Sequence, residues 1–221
     1  KSVGEVMAIG RTFKEAFMKS LQGLEIGRLG LEALKTEGDP ISRPTARRMF
    51  DALAALRNGM SADEVNRLTG FDHWFIAQFL ELMATARELK SQSLASIPAM
   101  LMWRAKREGF GDAYIASLLK PASAQPSALD VRAARKAQGV VASYYLVDTC
   151  AAEFESQTPY MYSHYDGYDE SKATTRQDIG KSEQLTLPIE PARDSGLATR
   201  DAAKQKIIIL GGGPNRIGQG I

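Results

Sequence analysis

The sequence between residues 40 and 139 repeats, at short intervals, the signals with which helices begin and end. Ser61 stands three residues before Glu64, a spacing that lets the two side chains cap the first turn of a helix. Asp72 precedes the longest apolar stripe of the region. The predicted start and stop residues are, in chain order, Pro44, Asn58, Ser61, Gly70, Asp72, Pro98, Gly109, Asp112, Pro121, Ser127 and Gly139. About six short capped helices, with no alternating apolar run between them, predict a small all-helical domain and a mainly α fold class.

The longest of these helices is predicted to follow Asp72. Its apolar residues recur at helical spacing, so we expect them to form one buried stripe. They are Phe75, Ile76, Phe79, Leu80, Met83 and Ala86.

A further helix is predicted near the amino-terminal end of the chain. Thr12 stands three residues before Glu15, which again indicates a capping box. Phe13, Phe17 and Leu21 then lie on one face at helical spacing. We therefore expect an amphipathic helix that ends near Gly23.

The character of the chain changes after residue 139. The apolar run at residues 144–147 and the segment 159–163 are each predicted to form a short strand. Residues 166–205 are polar, rich in Ser, Thr, Asp, Glu and Lys, and are interpreted as a linker.

The last residues combine a β-branched run with a series of glycines. Residues 206–210 predict a buried parallel strand, and the glycines that follow it predict a tight turn at the strand's carboxyl end. The glycine signal is weak by itself, because Arg216 stands where a dinucleotide fingerprint would need its last glycine. Since the chain stops at Ile221, before a helix could complete the unit, we expect it to be a segment of a longer protein.

The charge balance and the single cysteine limit the classes of function. The net charge is only +2, from 28 basic and 26 acidic residues, which argues against a dedicated nucleic-acid or membrane-surface module. Cys150 is the single cysteine, so no internal disulfide can form, which fits a reducing compartment, and we expect a cytoplasmic location. Because no histidine is near it in sequence, we expect Cys150 to be a buried structural thiol. No apolar run reaches the roughly 20 residues of a membrane span.

The isolated polar residues do not form a catalytic or metal-binding pattern. His73 and His164 have neither cysteine nor a second histidine at ligand spacing, and Glu5 and Glu153 are lone acids. We therefore predict no catalytic residue and no metal ligand in this stretch.

Two alternatives from other functional classes stay open. Residues 61–83 and 112–138 could each form a helix-turn-helix, and the second of these carries Arg132, Arg135 and Lys136. This alternative makes the chain a nucleic-acid-binding adaptor. The other makes it a nucleotide-binding enzyme built on the glycine-rich loop.

Three blocks of sequence resemble one family, in the same order. They are KSVGEVMAIGRTFKEAF near the start, DTCAAEF followed by TPYMYS, and KIIILGGGPNRIGQGI at the end. The chain resembles the central part of the glutamine-dependent carbamoyl phosphate synthetase large subunit. The resemblance implies two ATP-grasp halves: the first phosphorylates bicarbonate and combines it with ammonia to give carbamate, and the second phosphorylates carbamate. A helical oligomerisation domain lies between the halves.

The resemblance also implies a division of this chain. It assigns residues 1–30 to the end of the first half, 31–165 to the helical domain with its exit strands, 166–205 to a linker, and 206–221 to the start of the second half. The fold class is then mainly α, flanked by truncated pieces of two α/β ATP-grasp halves. The linker is longer than is usual in the family. The helical region resembles the family in its pattern of helices more than in its exact residue strings.

The residues implied in function belong to the two ends of the chain. Glu5 and Gly220 match positions that line the passage for carbamate between the two sites. The glycine-rich loop comprises Gly211, Gly212, Gly213, Asn215, Arg216 and Gly218. The resemblance implies no cofactor in this segment, but ATP, with Mg²⁺ or Mn²⁺ and K⁺, in the full-length ligase.

The implied partners are a glutaminase small subunit and further copies of the same chain, with no nucleic acid and no membrane. The implied pathway role is pyrimidine and arginine synthesis. We expect the segment by itself to make no carbamoyl phosphate, because the family's ATP- and metal-binding residues lie outside it.

Overall fold

A computed structural model describes residues 6–32, 40–150, 153–154 and 161–166. Within these ranges the chain forms seven α-helices and one antiparallel pair of short strands. The helices are α1 Phe13–Gly23, α2 Arg48–Arg57, α3 Ala62–Thr69, α4 His73–Ser91, α5 Ala99–Arg107, α6 Asp112–Leu118 and α7 Ala128–Ala137. The strands are β1 Ser143–Leu146 and β2 Met161–His164. The mainly helical fold class is confirmed, whereas the predicted linker, the strand at 206–210 and the glycine-rich loop lie outside the described residues.

The predicted caps begin the helices where the sequence placed them. The Ser61 hydroxyl accepts a hydrogen bond from the Glu64 backbone N–H at 3.1 Å, and Asp72 accepts one from Trp74 at 2.8 Å. Ser127 and Asp130 form a complete capping box at the start of α7. Local capping chemistry is therefore enough to position these helix starts.

Two helices begin later than predicted. Pro98 has a ψ of 142°, which is extended, so it caps α5 and Ala99 is the first helical residue. Before α2 the Thr45 N–H donates to Arg43 and the Arg48 N–H donates to Thr45. These are turn hydrogen bonds that span two and three residues, so α2 begins at Arg48 and not at Pro44.

Helix α4 is the centre of the helical core. It packs against α1, α2, α3, α5 and α6. The predicted stripe is correct for Ile76 and Phe79 but wrong for Phe75 and Leu80, whose exposed fractions are 42% and 36%. Leu82 and Leu89 are fully buried instead. Because α4 is covered on more than one side, its buried surface is wider than a single stripe.

Helix α1 belongs to the same core. Its residues Met18 and Leu21 are buried together with the apolar side chains of α2–α7. Gly109 makes the contact possible: its φ is +90°, and a Cβ there would lie 2.8 Å from the carbonyl oxygen of Glu15. The predicted domain boundary at residue 31 stays a prediction, but α1 is physically part of the helical unit.

The two strands form an isolated ribbon that follows α7. Ser143 pairs with His164 and Tyr145 pairs with Tyr162, so these four side chains share one face. A two-stranded ribbon is only marginally stable without further packing, and this one packs on α1.

Cys150, just after β1, is half-buried in a turn where its N–H donates to Asp148, so the expectation of a buried thiol is wrong. None of the helices in the described ranges has the length and hydropathy needed to cross a membrane.

The centrality of α4 gives a test with a matched control. Leu82 is fully buried on α4, whereas Leu129 on α7 is 74% exposed. We expect Leu82→Ala to lower the free energy of unfolding by about 2–5 kcal/mol, because it leaves a cavity in the core. The same change at Leu129 should alter it by no more than about 0.5 kcal/mol. Urea unfolding followed by circular dichroism measures both, and equal effects would contradict the described core.

Candidate functional site

The inner face of the ribbon and helix α1 enclose a cluster of polar and charged side chains. We call it the α1–ribbon cluster. Its members are Arg11, Glu15, Lys19, Ser143, Tyr145, His164 and Asp166. The cluster therefore joins residues near the start of the described chain to residues near its end.

Glu15 and His164 are the centre of the cluster. His164 Nδ1 lies 2.6 Å from Glu15 Oε2, and each residue is only 1% exposed. The Arg11 backbone N–H also donates to Oε2, at 2.9 Å. The Glu15 side chain thus does not complete the predicted capping box by accepting from Thr12. It turns inward, although Thr12 still caps α1 through the Glu15 N–H.

Lys19 connects Glu15 to both chain segments. Its Nζ lies 2.7 Å from Glu15 Oε1 and donates to the carbonyl oxygens of Ile9 at 3.0 Å and Ser163 at 2.6 Å. A lysine ammonium has three donor hydrogens, and all three find acceptors here. One side chain therefore holds the segment before α1, helix α1 itself and strand β2.

Asp166 closes the other side of the His164 ring. His164 Nε2 lies 3.4 Å from Asp166 Oδ2, and the Ser143 hydroxyl donates to Oδ1 at 3.2 Å. The Tyr145 hydroxyl bonds to the same carboxylate. The guanidinium of Arg11 lies 3.7 Å from Asp166 and stacks over the Tyr145 ring at 4.5 Å. The imidazole is thus fixed between two carboxylates.

The surroundings set the charge state of Glu15. Burial by itself would raise the pKa of its carboxyl group, because the charged form loses water. Hydrogen bonds from His164, Lys19 and the Arg11 backbone outweigh burial, and the pKa of Glu15 is lowered. Glu15 is therefore an ionised acceptor at neutral pH, which requires His164 Nδ1 to carry the proton it shares with Glu15.

A second buried charge cluster ties the last helices together. The single Nε–H of Arg135 is shared between the two carboxylate oxygens of Asp112, at 3.0 and 3.1 Å, and Lys106 Nζ lies 2.8 Å from Asp112 Oδ1. Both cations lie over the Tyr165 ring, with Lys106 Nζ 5.0 Å and Arg135 Cζ 5.5 Å from the ring centroid. Burial tends to raise the pKa of Asp112, but Lys106 and Arg135 lower it. Residues after β2 are thereby anchored to α5, α6 and α7.

The chemistry of the α1–ribbon cluster is that of a clamp. The charges neutralise one another, and the Glu15–His164 pair is buried. Glu15 and Asp166 approach opposite nitrogens of the His164 ring, so the three side chains cannot converge on one ion. Among the described residues, no group of three or more His, Cys, Asp or Glu side chains is arranged to hold a metal. These residues do not fit the metal ions that the resemblance implies, and no reaction step is assigned to them.

The predicted site residues are not members of the part of the chain that the structure describes. Glu5, Gly220 and the glycine-rich loop with Gly211, Gly212, Gly213, Asn215, Arg216 and Gly218 all fall outside the described residues. His73 is exposed and pairs with Asp63 at 3.0 Å. No local pattern predicts the cluster, because Glu15 and His164 are separated by 149 positions.

The helix-turn-helix alternative is not supported by the structure. Arg135, one of the three cations that suggested it, is only 8% exposed. Its guanidinium donates to Asp112 and to the carbonyl oxygen of Val140 at 2.9 Å. A side chain that is buried and fully engaged cannot read a DNA groove.

The comparisons with known proteins all point to one family. Residues 5–139 match the family model described as carbamoyl-phosphate synthetase large chain, oligomerisation domain. The whole chain is 39% identical to a carbamoyl phosphate synthase large chain of Halomonas eurihalina and 40% identical to one of a Nostoc species. It is also 39% identical to an arginine-specific, chloroplastic large chain of Arabidopsis thaliana. The chain spans 18% of the length of the two bacterial relatives and 17% of the plant one.

Glu15 and Glu64 provide a matched pair of substitutions. Both follow a capping hydroxyl by three residues, but the Glu15 side chain is 1% exposed and the Glu64 side chain is 50% exposed. We expect Glu15→Ala to lower the free energy of unfolding by about 3–5 kcal/mol, because it leaves His164 and Lys19 without their buried partner. Glu64→Ala should cost at most about 1 kcal/mol. Urea unfolding compares them, and a similar loss in both would show that Glu15 acts only as a helix-start residue.

The lowered pKa of Glu15 also predicts a pH dependence. The folded pKa lies below the unfolded value of about 4.3, so the stabilisation is fully present above that value and is lost as pH falls through the folded pKa. We expect the urea concentration at the unfolding midpoint to decrease as the pH is lowered from about 5 to about 3, and to decrease less steeply in Glu15→Gln. The slope that remains in the variant belongs to Asp112 and other carboxylates. Identical slopes in the two proteins would contradict the ionised pair.

Proposed function

The chain belongs to the family of the carbamoyl-phosphate synthetase large chain, oligomerisation domain, and we propose that it is the central segment of such a large chain. The complete ligase makes carbamoyl phosphate from bicarbonate, glutamine-derived ammonia and two ATP. In this proposal the helical domain described here separates two ATP-grasp synthetase halves, with pieces of those halves at residues 1–30 and 206–221.

The observation that carries this role is the α1–ribbon cluster. It fixes the segment that precedes α1 and the segment that ends β2 side by side through Lys19 and through the buried Glu15–His164 pair. A domain placed between two catalytic halves has to hold its incoming and outgoing chains in a fixed relation. The cluster supplies that relation, so the segment acts as a spacer that orients the halves.

The same clamp supports a role in the carbamate passage. Glu5 is followed by residues 6–10, and the carbonyl oxygen of Ile9 in that segment is held by Lys19. In the proposal, Glu5 and Gly220 line the passage, and the Glu5 carboxylate accepts a hydrogen bond from the NH₂ group of carbamate or holds a neighbouring arginine. The glycine-rich loop opens the second half.

The remaining partners of the enzyme follow from the family. We place ATP, with Mg²⁺ or Mn²⁺ and K⁺, in parts of the large chain outside this segment. A glutaminase small subunit supplies ammonia, and the helical domain associates with further copies. The setting is the cytoplasm, and the product serves pyrimidine and arginine synthesis. In this proposal the isolated segment neither hydrolyses ATP nor makes carbamoyl phosphate.

Glu5→Ala in the full-length large chain tests the proposal. Carbamate is short-lived in water, so a leaking passage would waste it after the first reaction is complete. We expect bicarbonate-dependent ATP hydrolysis to stay near the wild-type rate, while carbamoyl phosphate formed per ATP consumed falls. Both rates are measured in one coupled assay with the small subunit present.

The control for that assay is Glu64→Ala, on the exposed surface of α3. It should change neither rate. If Glu5 only stabilises a turn, its loss would cost on the order of 1 kcal/mol and lower both rates together through the amount of folded enzyme. An unchanged ratio in Glu5→Ala would show that the passage role is wrong.

A further inference from the structure

We propose that Phe13, Trp74 and Phe75 form a docking surface for the part of the first synthetase half that precedes this segment in the same polypeptide. We call these three residues the aromatic patch. The inference rests on the proposed function, because it takes from it the identity of the neighbouring domain. It adds a surface and the residues that bind.

The aromatic patch is a connected group of rings at the surface. Trp74 is 54% exposed and Phe75 is 42% exposed. Phe13 packs edge-on against both, with ring centroids 5.6 Å from Trp74 and 5.0 Å from Phe75. Trp74 and Phe75 also contact each other edge-on at 5.0 Å. Three mutually packed rings make a continuous apolar surface.

The aromatic patch is anchored to the core. Beneath it Phe13 stacks on Phe17 at 5.6 Å, and both rings lie against the buried Phe79, at 5.9 and 5.0 Å. The exposed rings are therefore the outer end of an aromatic column that begins in the core. A surface held in place this way loses little conformational entropy when a partner binds.

Aromatic side chains of this kind are typical of interfaces. Tryptophan and phenylalanine are enriched in the buried centre of protein–protein contacts, and tryptophan is a frequent hot spot. By contrast, Met100 on α5 and Leu129 on α7 are exposed apolar residues without an aromatic ring. Exposed apolar residues of that scattered kind need no partner. The aromatic patch differs from such residues because its exposed rings are packed together.

The position of the patch identifies its occupant. Phe13 is the first residue of α1, and Trp74 and Phe75 lie in the first turn of α4, so the patch faces the point where the chain enters the helical domain. Residues 6–12 lead directly to it, and the proposal assigns them, together with α1, to the end of the first half. A domain tethered a few residues away has a high effective concentration at this surface. The curated relatives have ample chain to form it, since this segment is 18% of their length.

Hydroxyl-radical footprinting of the full-length large chain tests the inference. Modification is read residue by residue and normalised to the intrinsic reactivity of each side chain. We expect Trp74 and Phe75 to lose modification and to match the buried Phe79. Leu129 should stay reactive, as its 74% exposure requires. Reactivity of Trp74 comparable with that of Leu129 would overturn the proposal.

Dilution separates an intramolecular contact from a contact with a second copy. The measurement is repeated on enzyme diluted until size exclusion shows single large chains. Protection that persists supports docking within one polypeptide, whereas protection that is lost on dilution overturns it in favour of a second copy. Carbamoyl phosphate synthesis is assayed on the same preparation before dilution. An active enzyme with exposed Trp74 refutes only the docking surface, and an inactive enzyme with protected Trp74 refutes only the proposed function.

A substitution gives an independent result. Phe75→Ser removes one ring from the patch, while the buried Phe79 beneath it is left in place. We expect Trp74 in the full-length variant to regain the modification that docking suppressed. The matched control, Leu129→Ser, should leave Trp74 protected. Protection of Trp74 that is the same in both variants would overturn the role of the patch.

Discussion

The buried pair of Glu15 and His164 sets the conditions that the rest of the structure has to meet. A carboxylate that is 1% exposed is strongly destabilising unless it is paired and hydrogen-bonded. Lys19 contributes from α1 itself, whereas the imidazole of His164 reaches Glu15 only if strand β2 lies directly against α1. Helix α1 in turn packs into the helical core through Met18 and Leu21. One electrostatic requirement therefore couples the ribbon to the helices.

Capping chemistry explains why the helices could be predicted from the sequence. Ser61, Asp72 and Ser127 act on backbone groups within three residues, so their effect is contained in the local sequence. Whether a side chain is buried or exposed, by contrast, depends on residues far away in the sequence. Glu15 and Glu64 occupy the same position after a capping hydroxyl, and one is buried while the other is solvated. That difference depends on His164, 149 positions away, which no spacing rule connects to Glu15.

Two buried ionic clusters hold the ends of the helical unit in place. The α1–ribbon cluster holds the incoming chain against β2, and the cluster of Asp112 with Lys106 and Arg135 holds the residues after β2 against α5, α6 and α7. Both ends of the helical unit are thus fixed by buried ionic contacts. This geometry agrees with the role proposed above, in which the segment is a rigid connector.

An ionic clamp also specifies something that an apolar one would not. The ribbon has only four residues in each strand, so few backbone hydrogen bonds are available to define its register. A slip of one residue would move His164 to the opposite face and leave the Glu15 carboxylate buried without its partner. That misregistered state is excluded by the cost of an unpaired buried charge. In other proteins an ionic pair can be replaced by apolar packing without loss of stability, but here it allows a single register. In the proposed role as a connector, a single register presents the two ends of the segment at a defined separation.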